Sequence, residues 1–89
     1  MLYVIAYDIS DDRKRDKISK ILEKYGIKVQ YSIVECDLSK ATVKALYQQM
    51  SKIIDKKTDK IYLYPLDEEC KRKVIYLGSR EEVSRCVII

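Results

Sequence analysis

Leu2–Asp16 reads LYVIAYDISDDRKRD. Its first six residues are apolar on both parities: Leu2, Val4 and Ala6 on one, Tyr3, Ile5 and Tyr7 on the other. A strand that is apolar on both faces has to be covered on both faces. The apolar run stops at Asp8, and acids and bases crowd the positions that follow. From there the pattern changes to a helical one over residues 11–25, where Ile18, Ile21, Leu22 and Tyr25 stand at i, i+3, i+4 and i+7 and form one core-facing stripe. The join raises a question of chemistry. Asp8 or Ser10 can cap the helix, with Asp11 and Asp12 as first-turn acids facing the helix dipole. Asp8 can equally be a functional carboxylate, since loops at strand ends expose groups that the strand itself holds rigid.

Working outward, Gly26 reads as the stop of the first helix. IKVQYSIVECDL, residues 27–38, is β-branched and bounded by Gly26 and the polar DLSK, so it forms one or two strands with a break near Gln30–Tyr31. A second helix is expected over about 39–55, with Val43, Leu46, Tyr47, Met50 and Ile54 as its stripe and Asp37 or Ser39 as its cap. KIYLYPL, residues 60–66, is another strand, and Pro65 places it at an edge or the proline at a strand end. DEECKR, residues 67–72, reads as a charged turn. KVIYLG, residues 73–78, and CVII, residues 86–89, read as further short strands.

The order is β-α-β-(β)-α-β, an α+β, ferredoxin-like βαββαβ pattern with one or two extra C-terminal strands. Residues 1–89 then make a single domain. Two helices can cover only one face of such a sheet, yet residues 2–7 and 61–64 are apolar on both faces. A two-fold homodimer with stacked sheets resolves this, with the segment from about residue 70 to 89 extending the partner subunit's sheet. A chain of 89 residues also gains from such a partner, because a domain this small buries only roughly 60–65% of its unfolded surface.

The composition narrows the chemistry. There is no histidine, which excludes Ser-His and Cys-His catalysis, histidine bases and histidine-ligated metals. The simplest remaining route to catalysis near neutral pH is a metal held by carboxylates, and hard cations such as Mg²⁺ take oxygen ligands. A two-fold dimer doubles a single carboxylate if Asp8 lies near the axis. The three cysteines, Cys36, Cys70 and Cys86, form no CxxC pair and read as small buried hydrophobes of a protein from a reducing cytoplasm. MLYVIAYD has neither a basic leader nor a small-residue cleavage site and reads as a first strand, not a signal peptide. No apolar run approaches the ~20 residues that span a bilayer, so no membrane partner is expected.

The net charge of +4 is a mild bias toward anionic partners. Arg13, Lys17, Lys20 and Lys24 are spaced 4, 3 and 4 and form one basic stripe on the first helix, either a solvated face or a surface that tracks phosphates. Arg15 points elsewhere, toward the helix start and Asp8. All eight aromatic residues are tyrosines; Tyr3, Tyr62 and Tyr64 read as core or interface, and Tyr7 as core or substrate contact. No RNP-type aromatic motif appears, so the pattern offers no support for base stacking.

YVIAYDISDDRKRDKISKILEKYGIKVQYSIVE, residues 3–35, resembles the CRISPR-associated protein 2 family. The likeness lies in the strand ending Tyr7-Asp8, the Ile9-Ser10-Asp11-Asp12 that follows, the basic helix closing on Tyr25-Gly26, and the VQYS of residues 29–32. The resemblance implies a ferredoxin-like homodimer that looks like a metal-dependent endonuclease, with Asp8 as the catalytic aspartate binding Mg²⁺ or Mn²⁺ across the dimer axis. It implies activity on single-stranded RNA or double-stranded DNA. It also implies a scaffold role between dimers of the CRISPR integrase, CRISPR-associated protein 1, during spacer acquisition, a role that does not require the aspartate chemistry. The alternative is a purely architectural nucleic-acid-binding adaptor. Tyr7, Arg15 and Lys17 match positions linked to activity or nucleic-acid contact, Ser10 matches a common small hydroxyl, and Lys28 a frequently basic position; Arg13 joins them through the basic stripe. Lys17 and Lys28 stand where arginine is frequent and keep charge without the bidentate fork. Val34 stands where phenylalanine is typical.

Overall fold

The computed structural model describes residues 1–75, 77 and 78. A strand over Leu2–Asp8 (β1) leads into a helix over Asp12–Glu23 (α1), two strands over Gly26–Gln30 (β2) and Ile33–Asp37 (β3), a helix over Lys40–Ser51 (α2), a strand over Lys60–Leu66 (β4) and a short helix over Glu68–Arg72 (α3). The sheet order is β2-β3-β1-β4, and every neighbouring pair is antiparallel. This is the expected α+β, ferredoxin-like arrangement, with β1 inside the sheet and the proline-bearing β4 on an edge.

Alternation along β1 sorts the sheet into two faces. Ile5 and Tyr7 point to the helix side, where they meet Val34 and Cys36 of β3, Ile18 and Leu22 of α1, and Leu46 and Met50 of α2 in one buried cluster. Tyr3, Ile61 and Leu63 pack against its margin. The opposite parity carries Val4, Ala6, Ile33, Tyr62 and Tyr64 on a face that no helix core covers. Tyr62 and Tyr64 are each half exposed there and stack on each other with ring centroids 5.8 Å apart.

Local competition for hydrogen bonds sets the element ends. The cap of α1 is Asp11, not Asp8 or Ser10: its carboxylate accepts the Lys14 N–H at 2.9 Å, and Asp12 alone is the first-turn acid. Asp8 is still in the ladder, opposite Lys60, and Ser10 is bonded to Asp59. Ser39 caps α2, while Asp37 stays in β3 and takes the Met1 amino group at 3.1 Å. The expected helix to residue 55 ends at Ser51: the Ile53 and Ile54 N–H groups both turn to the Met50 carbonyl, at 3.0 and 3.2 Å, and the Asp55 N–H goes to the Asp59 carboxylate at 2.8 Å. Ile54 still packs against the core, but Tyr47 and Tyr25 fall outside the expected stripes and are exposed. The charged stretch expected to be a turn is α3, capped by Asp67, whose carboxylate accepts the Cys70 N–H at 2.8 Å.

Gly26 is not a helix stop. It opens β2, opposite Cys36, and a Cβ there would overlap the Glu35 carbonyl oxygen and stand 2.6 Å from the Cys36 sulfur. Close backbone approach requires the glycine. Cys36 is buried as expected, and burial, helped by the Glu35 charge, pushes its thiol up to about 11. Cys70, on the small surface helix α3, is exposed instead. Cys86 and CVII lie outside the described residues, as does Tyr76. The described residues 73–75, 77 and 78 form no strand within this chain, and Ile75 and Leu77 are exposed. Among the described residues no helix is long and apolar enough to cross a membrane.

Replacing Gly26 by alanine should cost about 1–3 kcal/mol of stability through overpacking against β3. Ile27→Ala, on the same strand, should cost less in the same urea titration, since Ile27 is already 37% exposed.

Candidate functional site

An open cleft of about 450 Å³ lies where the end of β1, one face of α1 and the β2–β3 hairpin meet. Tyr7, Asp8, Arg15, Asp16, Lys28 and Tyr31 contribute to its lining. Each is delivered by a rigid element. Tyr7 is 4% exposed, and its phenol is anchored by donating to the Tyr31 carbonyl at 3.2 Å. Asp8 follows as the last residue of the ladder and is exposed. The ion pairs among the described residues join Met1 to Asp37, Arg15 to Asp12, Lys71 to Glu68 and Lys73 to Glu69, and Asp8 enters none of them.

Arg15 reaches the cleft from α1. One guanidinium nitrogen donates to the Ile9 carbonyl at 3.0 Å and another to the Asp12 carboxylate. These bonds fix the fork beside the chain that leaves Asp8, and part of its five-donor capacity is left over. Lys28, from β2, places its ammonium 3.5 Å from the Ser19 hydroxyl, which itself donates to Glu23 at 3.2 Å. The cleft therefore offers a carboxylate with no internal partner beside two cations, an arrangement suited to a phosphodiester whose charge is shared between a metal and basic side chains.

Asp16, on α1, lines the same cleft as Asp8. Two carboxylates are hard oxygen donors that fit a Mg²⁺-like ion keeping several waters or phosphate oxygens. Among the described residues there is no group of three or more histidine, cysteine, aspartate or glutamate side chains that could form a closed metal cage.

Arg13 and Lys17 are exposed on α1 but do not line the cleft. Ser10 is also outside the lining: its N–H and hydroxyl both go to Asp59 Oδ1, at 3.3 and 3.4 Å. Val34 is fully buried under the helices, so the position where an aromatic is typical belongs to the core here.

Asp59 is a structural residue that no sequence pattern singled out. It is 7% exposed and accepts bonds from the Asp55 N–H, both Ser10 donors and the Thr58 hydroxyl. It thus ties the β1–α1 loop to the turn before β4. The only sequence signal was an acid at the very start of a strand.

The fold and cleft together define a small ferredoxin-like protein with an open cleft lined by carboxylates and cations. The family description "CRISPR associated protein Cas2" matches residues 1–74, and the chain belongs to that family. It is 51% identical over 65 residues to a Synechocystis protein named CRISPR-associated endoribonuclease Cas2 3, covering 73% of this chain and 71% of that protein. The crystal structure of Streptococcus pyogenes Cas2 at pH 6.5 superposes with a TM-score of 0.78 at 30% identity, covering 88% of this chain and 100% of that one. A chain of a partial Cas6-RT-Cas1–Cas2 complex superposes with a TM-score of 0.72 at 30% identity, covering 82% of this chain and 80% of that one.

The Asp55 N–H bonded to Asp59 holds that carboxyl below the usual carboxylate range; the Ser10 N–H, the Thr58 hydroxyl and the Lys14 charge act in the same direction against the opposing effect of burial. A carboxylate lowered in the folded state stabilises it in full above its unfolded pKa of about 3.9, and that contribution drains away as pH falls through the lower folded value. The melting temperature of Asp59→Asn should therefore lie below wild type by a constant gap from pH 7 to about pH 5, and the gap should narrow below about pH 4. Thermal melts across this range check it.

Proposed function

We propose that this protein is a metal-dependent endonuclease of the CRISPR system that works as a two-fold homodimer and also serves as an adaptor for the integrase Cas1. The observation that carries the nuclease reading is the exposed Asp8 carboxylate, with no internal partner, at the end of an interior strand and in one cleft with Arg15 and Lys28. RNA is the favoured substrate, following the name of the Synechocystis relative.

Asp8, joined by Asp8 of a second subunit or by Asp16, would hold Mg²⁺ or Mn²⁺. A bound ion of this kind supplies an activated water and neutralises charge on the phosphoryl oxygens. The chain's own residues do the remaining work. Arg15, oriented by the Ile9 carbonyl and Asp12, turns its free donors to a non-bridging phosphate oxygen, where they stabilise charge as it develops. Lys28 adds a point charge on the opposite wall. Tyr7 keeps the hairpin seated on β1, so the distance between the walls is held without reorganisation. With no histidine in the chain, no side chain of ordinary pKa near neutrality is available as a general base.

The dimer follows from the sheet's second face. Val4, Ala6, Ile33, Tyr62 and Tyr64 present an apolar surface that a second copy would cover, and Ile75 and Leu77, exposed just after α3, would add to that contact.

The adaptor reading rests on a separate observation: Arg13, Lys17, Lys20 and Lys24 form an exposed basic face outside the cleft. A relative in complex with Cas1 supports it. In this role the protein holds duplex through phosphate contacts, whose affinity falls steeply with salt.

Asp8→Asn should lower cleavage of RNA by at least about 100-fold, the scale of the several kcal/mol that metal charge stabilisation supplies. Cleavage should also stop in a chelator and return with Mg²⁺ or Mn²⁺. Activity that survives both treatments would refute the nuclease reading. For the adaptor reading, spacer acquisition should persist in Asp8→Asn and fail when Arg13 and Lys17 are replaced by glutamate.

A further inference from the structure

Tyr31 is 94% exposed, while its backbone carbonyl is held by the Tyr7 phenol. Gln30 pairs with Ile33, so Tyr31 and Ser32 alone make the turn between β2 and β3. Both turn carbonyls are anchored by one residue: Tyr7 donates its phenol to the Tyr31 oxygen at 3.2 Å and its N–H to the Ser32 oxygen at 3.0 Å. A register shift between Lys28 and Gln30 bulges the strand that leads into the turn. Bulges of this kind re-aim side chains near functional sites.

A single exposed aromatic is ordinary on a protein surface. Position makes this one different. Tyr47 lies in a groove beside α2, and Tyr62 and Tyr64 stack on each other on the open sheet face. Tyr31 instead lines the cleft that holds Asp8, Arg15 and Lys28. A flat ring on a pre-organised backbone at the rim of a phosphate site loses little freedom when it takes a ligand. Every nucleobase has a face to offer such a ring, provided the base is unpaired and out of its own stack.

We propose that Tyr31 is a stacking platform for one unpaired base of a single-stranded substrate whose adjoining phosphate lies between Arg15 and Lys28. The assignment rests on the reading of the cleft as a phosphodiester site and adds one residue to it: Tyr31 as the contact for a base. This is recognition by one aromatic at a hairpin tip, distinct from a multi-aromatic sheet surface, which is why no linear motif announces it.

The test is a binding cycle in the Asp8→Asn background, where turnover does not intrude. Tyr31→Phe and Tyr31→Ala are each titrated with a fluorescent oligouridine, an abasic oligomer of the same length and a duplex. The expected result is an affinity loss of about tenfold for Tyr31→Ala on oligouridine alone, with Tyr31→Phe within about twofold of tyrosine. Equal losses on the abasic oligomer or the duplex would overturn the proposal. So would no loss on oligouridine, or no measurable oligouridine binding by the protein with Tyr31 intact. Light scattering adds another arm: a change of oligomeric state in Tyr31→Ala would assign the ring to contact between copies and overturn the stacking role. The outcome is separable from that of the nuclease reading. A flat cycle beside Asp8-dependent cleavage removes the stacking role alone. A clear cycle beside Asp8-independent cleavage removes the role of Asp8 and leaves the platform.

Discussion

β1 is hydrogen-bonded along both edges, to β3 on one side and β4 on the other. That double pairing fixes which way each side chain points, because alternation admits only two directions and the register cannot slip without exchanging them. Ile5 and Tyr7 are committed to the helix layer, and Asp8 is delivered at the end of a strand that cannot move independently of the sheet. The candidate site inherits its rigidity from this pairing. Tyr7 extends it one layer further by holding both carbonyls of the β2–β3 turn, so that the wall carrying Lys28 and Tyr31 is seated on the strand carrying Asp8.

A second constraint acts on the loop after β1. Four short polar residues there compete for few donors, and the outcome is a division of labour. Asp11 caps α1, Asp12 and the Ile9 carbonyl hold Arg15, and Ser10 is drawn across to Asp59. Asp8 is the acid of this group with no such duty. A carboxylate without an internal partner, next to residues that are all engaged, is available to a ligand. The same Asp59 accepts the Asp55 N–H, so one buried acid joins the turn after α2 to the loop beside the cleft.

Among the described residues, one face of the sheet is left without a covering layer. Two helices of twelve residues each fill one face, and no further described element is large enough to cover the other. Tyr62 and Tyr64 cover part of each other's surface by stacking and remain half exposed. A second subunit would remove the rest of that surface from water, at roughly 25 cal/mol for each Å² of apolar area.

The sequence by itself determined the order of elements from β1 to β4, the two-faced strands and the lack of a histidine base. Each follows from a short-range rule: periodicity, side-chain inventory or strand alternation. It also sorted the basic residues of α1 correctly, since helical spacing separates Arg15 from the Arg13–Lys17 stripe. Tertiary structure decided the rest, because the deciding interactions join residues far apart in the chain. Asp11 is the cap, while Ser10 is engaged by Asp59, 49 residues further along the chain. Gly26 proved to serve close strand approach, since its constraint is the backbone at Glu35 on the next strand. Asp16 and Tyr31 joined the cleft because α1 and the hairpin fold to the same end of β1, a proximity that no local pattern encodes.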